Sequence, residues 1–287
     1  MKIYDMHIHT SGEAVNQNYL LEQMEKSGVY GGMLISAYPD IENPAEAGAM
    51  PYKERLKLIL DWKKNREGRL YSALWIHPFE KNACDIVRDA AESGIDAFKM
   101  ICDTYPLNCD ESMKLIAAVE KTGKPAIFHT GILWSGGVAS SINNRPVNWE
   151  YMQQFDRLKF DMAHCSWPWY DECIAVYGKF LNSYLTRQSS EMFFDLTPGT
   201  PVIYRKDLLT KLFCCGYDTE NNIMFGTDSL SNDYDPQWVG GWIARDNAIY
   251  EELGLTEKQK EKIYKDNFMR FIKGEDIKHN LPQMNKG

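Results

Sequence analysis

The stretch Asp5-Met6-His7-Ile8-His9 reads as the end of a first β-strand. Side chains of an extended strand alternate faces, so Asp5, His7 and His9 are expected on one side and Tyr4, Met6 and Ile8 on the other. Residues two apart on a strand are separated by about 6.5 Å at Cα, which lets both imidazoles reach one cation at about 2.0–2.1 Å. Two histidines on the polar face of an ordinary half-buried strand would give the same pattern. The rest of the chain has to separate the two readings.

Working outward, apolar runs and helical repeats alternate to the end of the sequence. Strands are expected over 30–37, 69–76, 95–101, 126–129, 158–164, 191–196 and 222–228. Helical spacing fills 18–28, 52–66, 81–93, 110–122, 149–155, 168–186, 206–215, 238–253 and 256–272. Pro- and Gly-rich loops cover 38–51 and 130–147. Eight strands alternating with helices are the mark of parallel βαβ units, and runs apolar on both faces are those of strands covered on both sides. The expected fold is α/β, a (β/α)8 TIM barrel. An open doubly wound sheet is the runner-up, but no GxGxxG follows the first strand, and P-loop and GxSxG patterns are missing as well. No internal boundary stands out, so 1–273 is expected to be one catalytic domain and 274–287 a frayed tail.

The chain has 287 residues, of which 44% are hydrophobic and 25% charged, as in an ordinary globular protein. A net charge of -8 argues against nucleic acid as a partner, because polyanion binding rests on clustered Lys and Arg. No run approaches the roughly 20 apolar residues of a membrane span, and Met1 leads straight into the first strand without room for a signal peptide. The 7 cysteines form no CxxC pair, so reduced thiols and a cytoplasmic location are expected, with Cys214-Cys215 at the buried end of a helix.

Of the 6 histidines, His7, His9, His77, His129 and His164 all fall at the C-terminal ends of expected strands, and only His279 lies in the tail. In a barrel those ends form the catalytic mouth. A core histidine satisfied by backbone would explain one of them, but five buried imidazoles would each need a partner. Asp228 adds a carboxylate at the end of the last strand, next to the first in a closed barrel. His7, His9, His129 and Asp228 thus offer three nitrogens and an oxygen, a set suited to a divalent transition metal, zinc first.

With these residues in place the chain resembles the amidohydrolase superfamily, and within it the amidohydrolase-related hydrolases and decarboxylases. The resemblance is carried by Asp5-Met6-His7-Ile8-His9, Pro125-Ala126-Ile127-Phe128-His129-Thr130-Gly131, Leu158-Lys159-Phe160-Asp161-Met162-Ala163-His164-Cys165 and Ile223-Met224-Phe225-Gly226-Thr227-Asp228, with a closing helix around Ile263-Tyr264-Lys265-Asp266-Asn267-Phe268. It implies that His7, His9 and Asp228 bind metal, with His129 as a further ligand in one-metal members. It also implies that His164 stands beside the ion, where it binds a second one or polarises the substrate. Ser166 stands two residues after His164, where this branch often has glycine. In two-metal members a lysine on the fourth strand, where this chain has Lys99, is carboxylated and bridges two ions; the alternatives for Lys99 are an amine that binds a substrate carboxylate or a buried ion pair, and these are preferred here. One ion is therefore expected, two if Lys99 is carboxylated.

Other candidates carry less. Asp5 lies deeper than the histidines and is expected to support them without touching the ion. Asp195 ends the seventh strand, either as a loop or cap carboxylate or as a partner of a ligand. Arg145 is either a clamp for an anionic substrate group or a solvated loop charge. Trp134, Trp167, Trp169, Trp238 and Trp242 either wall an apolar pocket or pack loops together.

The expected chemistry is hydrolysis of a small amide, ester or lactone, with a carboxylate on the substrate an option. Metal-activated water attacks, Asp228 shuttles the proton and His164 steadies the oxyanion. Non-oxidative decarboxylation or hydration is the alternative within the same branch. A metal-binding barrel without catalysis is the third reading. PHP-type phosphoesterases share the Asp-x-His-x-His start but need further late histidines. TatD-like nucleases use a glutamate where Lys99 stands. The only partner expected is a small-molecule substrate, with neither nucleic acid nor membrane; a homo-oligomer is compatible with the sequence.

Overall fold

Among the described residues nine parallel strands curl into a barrel. The computed structural model describes residues 1–41, 48–135, 137, 139–187, 190–199 and 201–280. The first half runs β1 (Tyr4–His9), α1 (Gln17–Ser27), β2 (Gly31–Ile35), α2 (Tyr52–Lys63), β3 (Leu70–Trp75), α3 (Ala83–Glu92), β4 (Ala97–Met100), α4 (Asp110–Thr122) and β5 (Ala126–Phe128). After the short helix α5 (Ser140–Asn143) and a 3₁₀ stretch (Pro146–Gln154) come β6 (Lys159–Met162), α6 (Tyr170–Arg187), β7 (Glu191–Asp195) and α7 (Val202–Cys214). The chain ends with β8 (Ile223–Met224), β9 (Ser229–Leu230), α8 (Pro236–Glu252), α9 (Glu257–Glu261), a π-helical turn (Lys262–Asp266) and α10 (Asn267–Lys273). Residues 42–47 of the expected loop and 281–287 of the expected tail lie outside the described residues. Among the described residues no helix is long and apolar enough to cross a membrane.

The strand order is β8-β7-β6-β5-β4-β3-β2-β1-β9. β8 and β9 stand at opposite ends of that order, yet only residues 225–228 separate them in the chain, so the sheet closes on itself. Met6 N donates to Phe225 O across the seam at 2.9 Å. The protein is the (β/α)8 barrel its sequence predicts.

Alternation builds two cores. Met33, Ile35, Ala73, Trp75, Ala97, Ile127, Phe193 and Met224 fill the barrel interior. Leu34, Leu74, Phe98, Met100, Phe128, Phe160, Met162 and Phe194 face the helices. By that register Lys99, Asp161 and Asp195 point into the barrel, since their strand neighbours on either side point out.

Two strands depart from the expected alternation. In β1, Asp5 pairs with Gly32 and Ile8 with Leu34, so one extra residue bulges from β1 between them. Tyr4 and Met6 therefore join the inner core and Ile8 the outer one. Asp5 faces away from the interior, while His7 and His9 turn to the mouth; the expected common face of Asp5, His7 and His9 is corrected on this point. Gly32 accommodates the irregular pair, because a Cβ there would lie 2.3 Å from Asp5 O. The eighth strand, expected over 222–228, ends at Met224 as β8, and a separate short strand, β9, follows at Ser229–Leu230. Asp228 takes φ 59° and turns the chain between them.

Smaller differences sit at the periphery. Cys214 and Cys215 are exposed, not buried as expected, because α7 ends there on the surface. The tail is not frayed as far as 280: His279 is buried, held between Glu191 and Asp218, and Asp276 pairs with Lys159.

Candidate metal centre

β1 carries His7 and His9 to the C-terminal rim, and β9 returns beside them, with Ile8 opposite Ser229. The left-handed backbone at Asp228, a conformation that costs about 1–2 kcal/mol for a non-glycine residue, swings its carboxylate over both rings. Asp228 Oδ1 is 3.3 Å from His9 Nε2 and 3.7 Å from His7 Nε2, and the two Nε2 atoms are 3.2 Å apart. Four tetrahedral bonds of about 2.1 Å place neighbouring ligand atoms roughly 3.4 Å apart, so these spacings fit one ion. Among the described residues this is the one group of three or more such side chains whose ligand atoms lie within 4.8 Å of each other. His129, expected as a fourth ligand, is not in that group; its ring meets the His164 ring edge-on at 5.0 Å.

The hydrogen bonds assign the tautomers. His7 Nδ1 faces Asp195 Oδ2 at 3.0 Å, so the proton sits on Nδ1 and the lone pair of Nε2 points at the candidate ion position. Thr197 Oγ1 donates to Asp195 Oδ1 and so accepts from His164 Nδ1 at 2.8 Å, which leaves His164 Nε2 bare. His129 Nε2 donates to Ile132 O at 3.2 Å and leaves its lone pair on Nδ1. Burial is the main reason why all three stay neutral: it pulls His7 down to about 3, His129 well below the ordinary imidazole value and His164 below it. Neutral imidazoles with free lone pairs are the form a metal needs.

His164 is held in an unusual backbone. His164, Cys165 and Ser166 have φ of 62°, 44° and 57°, three left-handed residues in a row. Ser166 thus adopts a backbone conformation that favours glycine. Its hydroxyl donates to Thr130 Oγ1 at 2.8 Å, and His164 N donates to Asp195 Oδ1 at 2.9 Å, bonds that hold the turn against its strain. Gly199 packs on the ring face; a Cβ there would be 3.0 Å from His164 Cβ.

Asp195 is the hub beneath the histidines. It accepts from His7, from His164 N and from both N and Oγ1 of Thr197. Burial would raise its carboxyl, but these donors and the neighbouring imidazoles hold it well below the usual range. Lys99 is fully buried with Nζ 3.2 Å from His7 Nε2; burial pulls its ammonium down to about 8 against the charges of Asp195, Asp228 and Asp161. Asp5 touches no imidazole ring. It accepts from His7 N at 3.1 Å, Thr227 N at 3.0 Å, Thr227 Oγ1 at 2.5 Å and Tyr234 OH at 2.9 Å, stitching β1 to the turn that presents Asp228.

His77 belongs to a separate network: His77 Nε2 is 3.3 Å from Asp103 Oδ1, whose other oxygen accepts from Tyr38 OH at 2.6 Å. Arg145 is taken up by Glu172 at 2.9 Å and stacks over Trp169 at 5.1 Å. The expected tryptophans divide. Trp242 is buried between Arg205 and Arg245, and Trp134 is 85% exposed. Trp75, not singled out from the sequence, is the one whose ring lies 5.9 Å from His9. Thr197, Thr227 and Asp161 were also not legible as site residues; Asp195-Leu196-Thr197, a carboxylate and a hydroxyl two apart at a strand end, was the available signal.

No curated protein matches the sequence. Among solved structures, 2,6-dihydroxybenzoate decarboxylase from Rhizobium is similar at 11% identity over 95% of this chain and 99% of that one, TM-score 0.63. A probable 2-pyrone-4,6-dicarboxylic acid hydrolase from Acinetobacter baumannii is similar at 11% identity over 95% and 100%, TM-score 0.58. 5-Carboxyvanillate decarboxylase from Novosphingobium aromaticivorans, solved with manganese bound, is similar at 10% identity over 88% and 80%, TM-score 0.62. These likenesses show the shared barrel. A family model described as Amidohydrolase (Amidohydro_2) matches residues 4–273. The match spans every strand of the barrel and all the strand-end histidines, and this chain belongs to the amidohydrolase family.

Proposed function

We propose that this amidohydrolase family member is a metal-dependent hydrolase that cleaves a small amide, ester or lactone, carboxylate-bearing substrates included, with a water activated beside His7, His9 and Asp228. The observation that carries this reading is the 3.2, 3.3 and 3.7 Å spacing of two imidazole nitrogens and one carboxylate oxygen. A divalent ion held there, zinc first by its taste for imidazole and carboxylate, supplies Lewis acidity and brings the pKa of water toward about 7.

The chain's own groups divide the remaining work. Asp228 is kept ionised by the bond from His9 and by His7 and His164, against burial that would raise it, and its side chain is 41% exposed to the mouth. It takes the proton of the attacking water and hands it to the leaving group. His129 offers Nδ1 as a further ligand atom. His164 presents a bare Nε2, which suits a ligand or a proton acceptor; steadying an oxyanion would require a second proton on the ring. Lys99, as an amine at the floor of the site, attracts a substrate carboxylate.

A second reading, non-oxidative decarboxylation, is favoured by the decarboxylases among the similar structures and by Lys99, whose cation would hold an acid substrate. The deciding experiment is metal analysis of the purified protein followed by turnover on a panel of amides, esters, lactones and aromatic acids. Acid and amine or alcohol products support hydrolysis, carbon dioxide release supports decarboxylation, and stoichiometric metal without turnover supports a binding module.

A further inference from the structure

Charge is distributed unevenly around the mouth of the barrel. The rim loops that follow β1, β2, β3 and β4 carry Glu13, Asp40, Glu80 and Asp103. Those that follow β5, β6 and β7 differ: residues 130–144, 163–170 and 196–204 contain no Asp, Glu, Lys or Arg, in a chain of which 25% is charged. Apolar side chains stand out from these three runs instead, with Trp134, Ile142, Val202, Ile203 and Tyr204 exposed. The first run ends at Arg145, whose charge is met by Glu172.

This strip begins at the candidate metal centre. His129 Nε2 donates to Ile132 O at 3.2 Å, and Leu133 and Trp134 follow in the chain. Trp167 N donates to His164 O at 3.1 Å, and Trp167 O accepts from Ile132 N at 2.9 Å, which joins the first two loops. The Trp167 ring meets the Tyr204 ring at 6.4 Å, and Gly199, in the loop that leads to Val202 and Ile203, packs on His164. Gly131 N donates to Asn144 O at 2.8 Å and Ser166 Oγ to Thr130 Oγ1 at 2.8 Å, so the backbone beneath the strip is held before any ligand arrives. An exposed apolar surface of this kind marks a binding site. Its continuity with His129 and His164 says what it binds: the part of the substrate next to the reacting group. We propose that the rim from Trp134 past Trp167 to Tyr204 binds the hydrocarbon chain of the acyl group being cleaved off, which makes the substrate a longer-chain acyl amide or ester and not an acetyl or formyl one. The inference rests on the hydrolase reading given above.

The test measures by calorimetry the binding of acetate, butanoate, hexanoate and octanoate to the protein supplied with zinc, and in parallel the turnover of the matching p-nitrophenyl esters. A chain lying on this strip tightens binding about two- to fourfold per added methylene, and kcat/KM rises in step. In Trp134→Ser and Tyr204→Ser, both at exposed positions, the ratio of octanoate to acetate affinity is expected to fall about tenfold. Phe79→Ser, which removes an exposed ring from the charged side of the rim, keeps the wild-type ratio. Binding independent of chain length in the wild type overturns the proposal, as does a ratio that neither Trp134→Ser nor Tyr204→Ser lowers, or one that Phe79→Ser lowers as much. Sedimentation reads the mass of the same samples: loss of a dimer in the first two variants, with the rise along the chain-length series intact, makes the strip an interface between copies and overturns the proposal too. If no ester of any length is turned over, the hydrolase reading is what fails, and the carboxylate series still decides whether an apolar chain lies on the strip.

Discussion

His7 Nδ1 and Asp195 Oδ2, 188 positions apart in the chain, lie 3.0 Å from one another in the barrel interior. The bond fixes the tautomer of His7, and the tautomer leaves the Nε2 lone pair free for a metal ion. In Asp195→Asn the His164 and Thr197 donors keep the amide oxygen on the Oδ1 side and turn the NH2 toward His7. Nδ1 then has to accept, and the proton moves to Nε2. Zinc affinity should drop about 10–100-fold, measured by chelator competition, with the melting temperature falling far less. Unchanged affinity would show that Asp195 does not set the tautomer.

Asp228→Asn separates chemistry from fold. Asparagine tolerates the left-handed backbone as aspartate does, so the turn between β8 and β9 survives. The replacement cannot accept a proton. Turnover on a substrate identified from the panel should fall about 10²–10⁴-fold, while His7 and His9 retain part of the metal. Wild-type turnover in this variant would refute the proton-shuttle role.

The strand ends were legible because each demands a simple pattern: an apolar run, covered on both faces, that stops at a polar residue. That pattern placed His7, His9, His129, His164 and Asp228 on one rim. It could not show the β1 bulge, because an extra residue is visible only against the register of the neighbouring strand, here the Asp5–Gly32 pair. The left-handed turn at Asp228, which breaks the eighth strand, is likewise set by tertiary bonds, with Thr227 tied to Asp5 across the seam. Asp161 hid in an apolar run, where a single carboxylate looks like a surface residue. Asp195 was seen without its role, since its partners come from β1, the turn after β6 and its own strand end.

Glycine positions give a contrast in stability. A Cβ on Gly226 would lie 2.6 Å from Thr197 Cγ2 and 3.4 Å from His7 Cβ, wedged between these two side chains. Gly226→Ala should cost about 1–3 kcal/mol and weaken metal binding as Thr197 is displaced. Gly241, exposed within α8, has nothing within 4 Å of an added Cβ. Gly241→Ala should stabilise the protein by about 0.5–1 kcal/mol through helix propensity. Denaturant melts of the two variants check both signs.

His279 ties the C-terminal segment to the N-terminal end of the barrel by charge, and this gives a pH dependence. Nε2 is 2.9 Å from Glu191 Oε1 and Nδ1 is 3.2 Å from Asp218 Oδ2, so both ring nitrogens face carboxylates. Glu191 also takes Arg270 of α10 at 2.6 Å and Lys159 of β6 at 2.8 Å, and Lys159 reaches Asp276 at 2.7 Å. Burial would lower the imidazole, but the bonds it donates to Asp218 and Glu191 win and raise it. A histidine with a raised folded pKa contributes stability that is complete below its unfolded value of about 6.5 and fades as pH climbs through the folded value. His279→Gln should therefore lower the melting temperature most on the acid side of that window, a loss of about 1–3 kcal/mol, and the gap to wild type should shrink as pH rises. Calorimetric scans of both proteins across the window read this gap. One that widened with pH would mean that His279 is neutral in the folded protein.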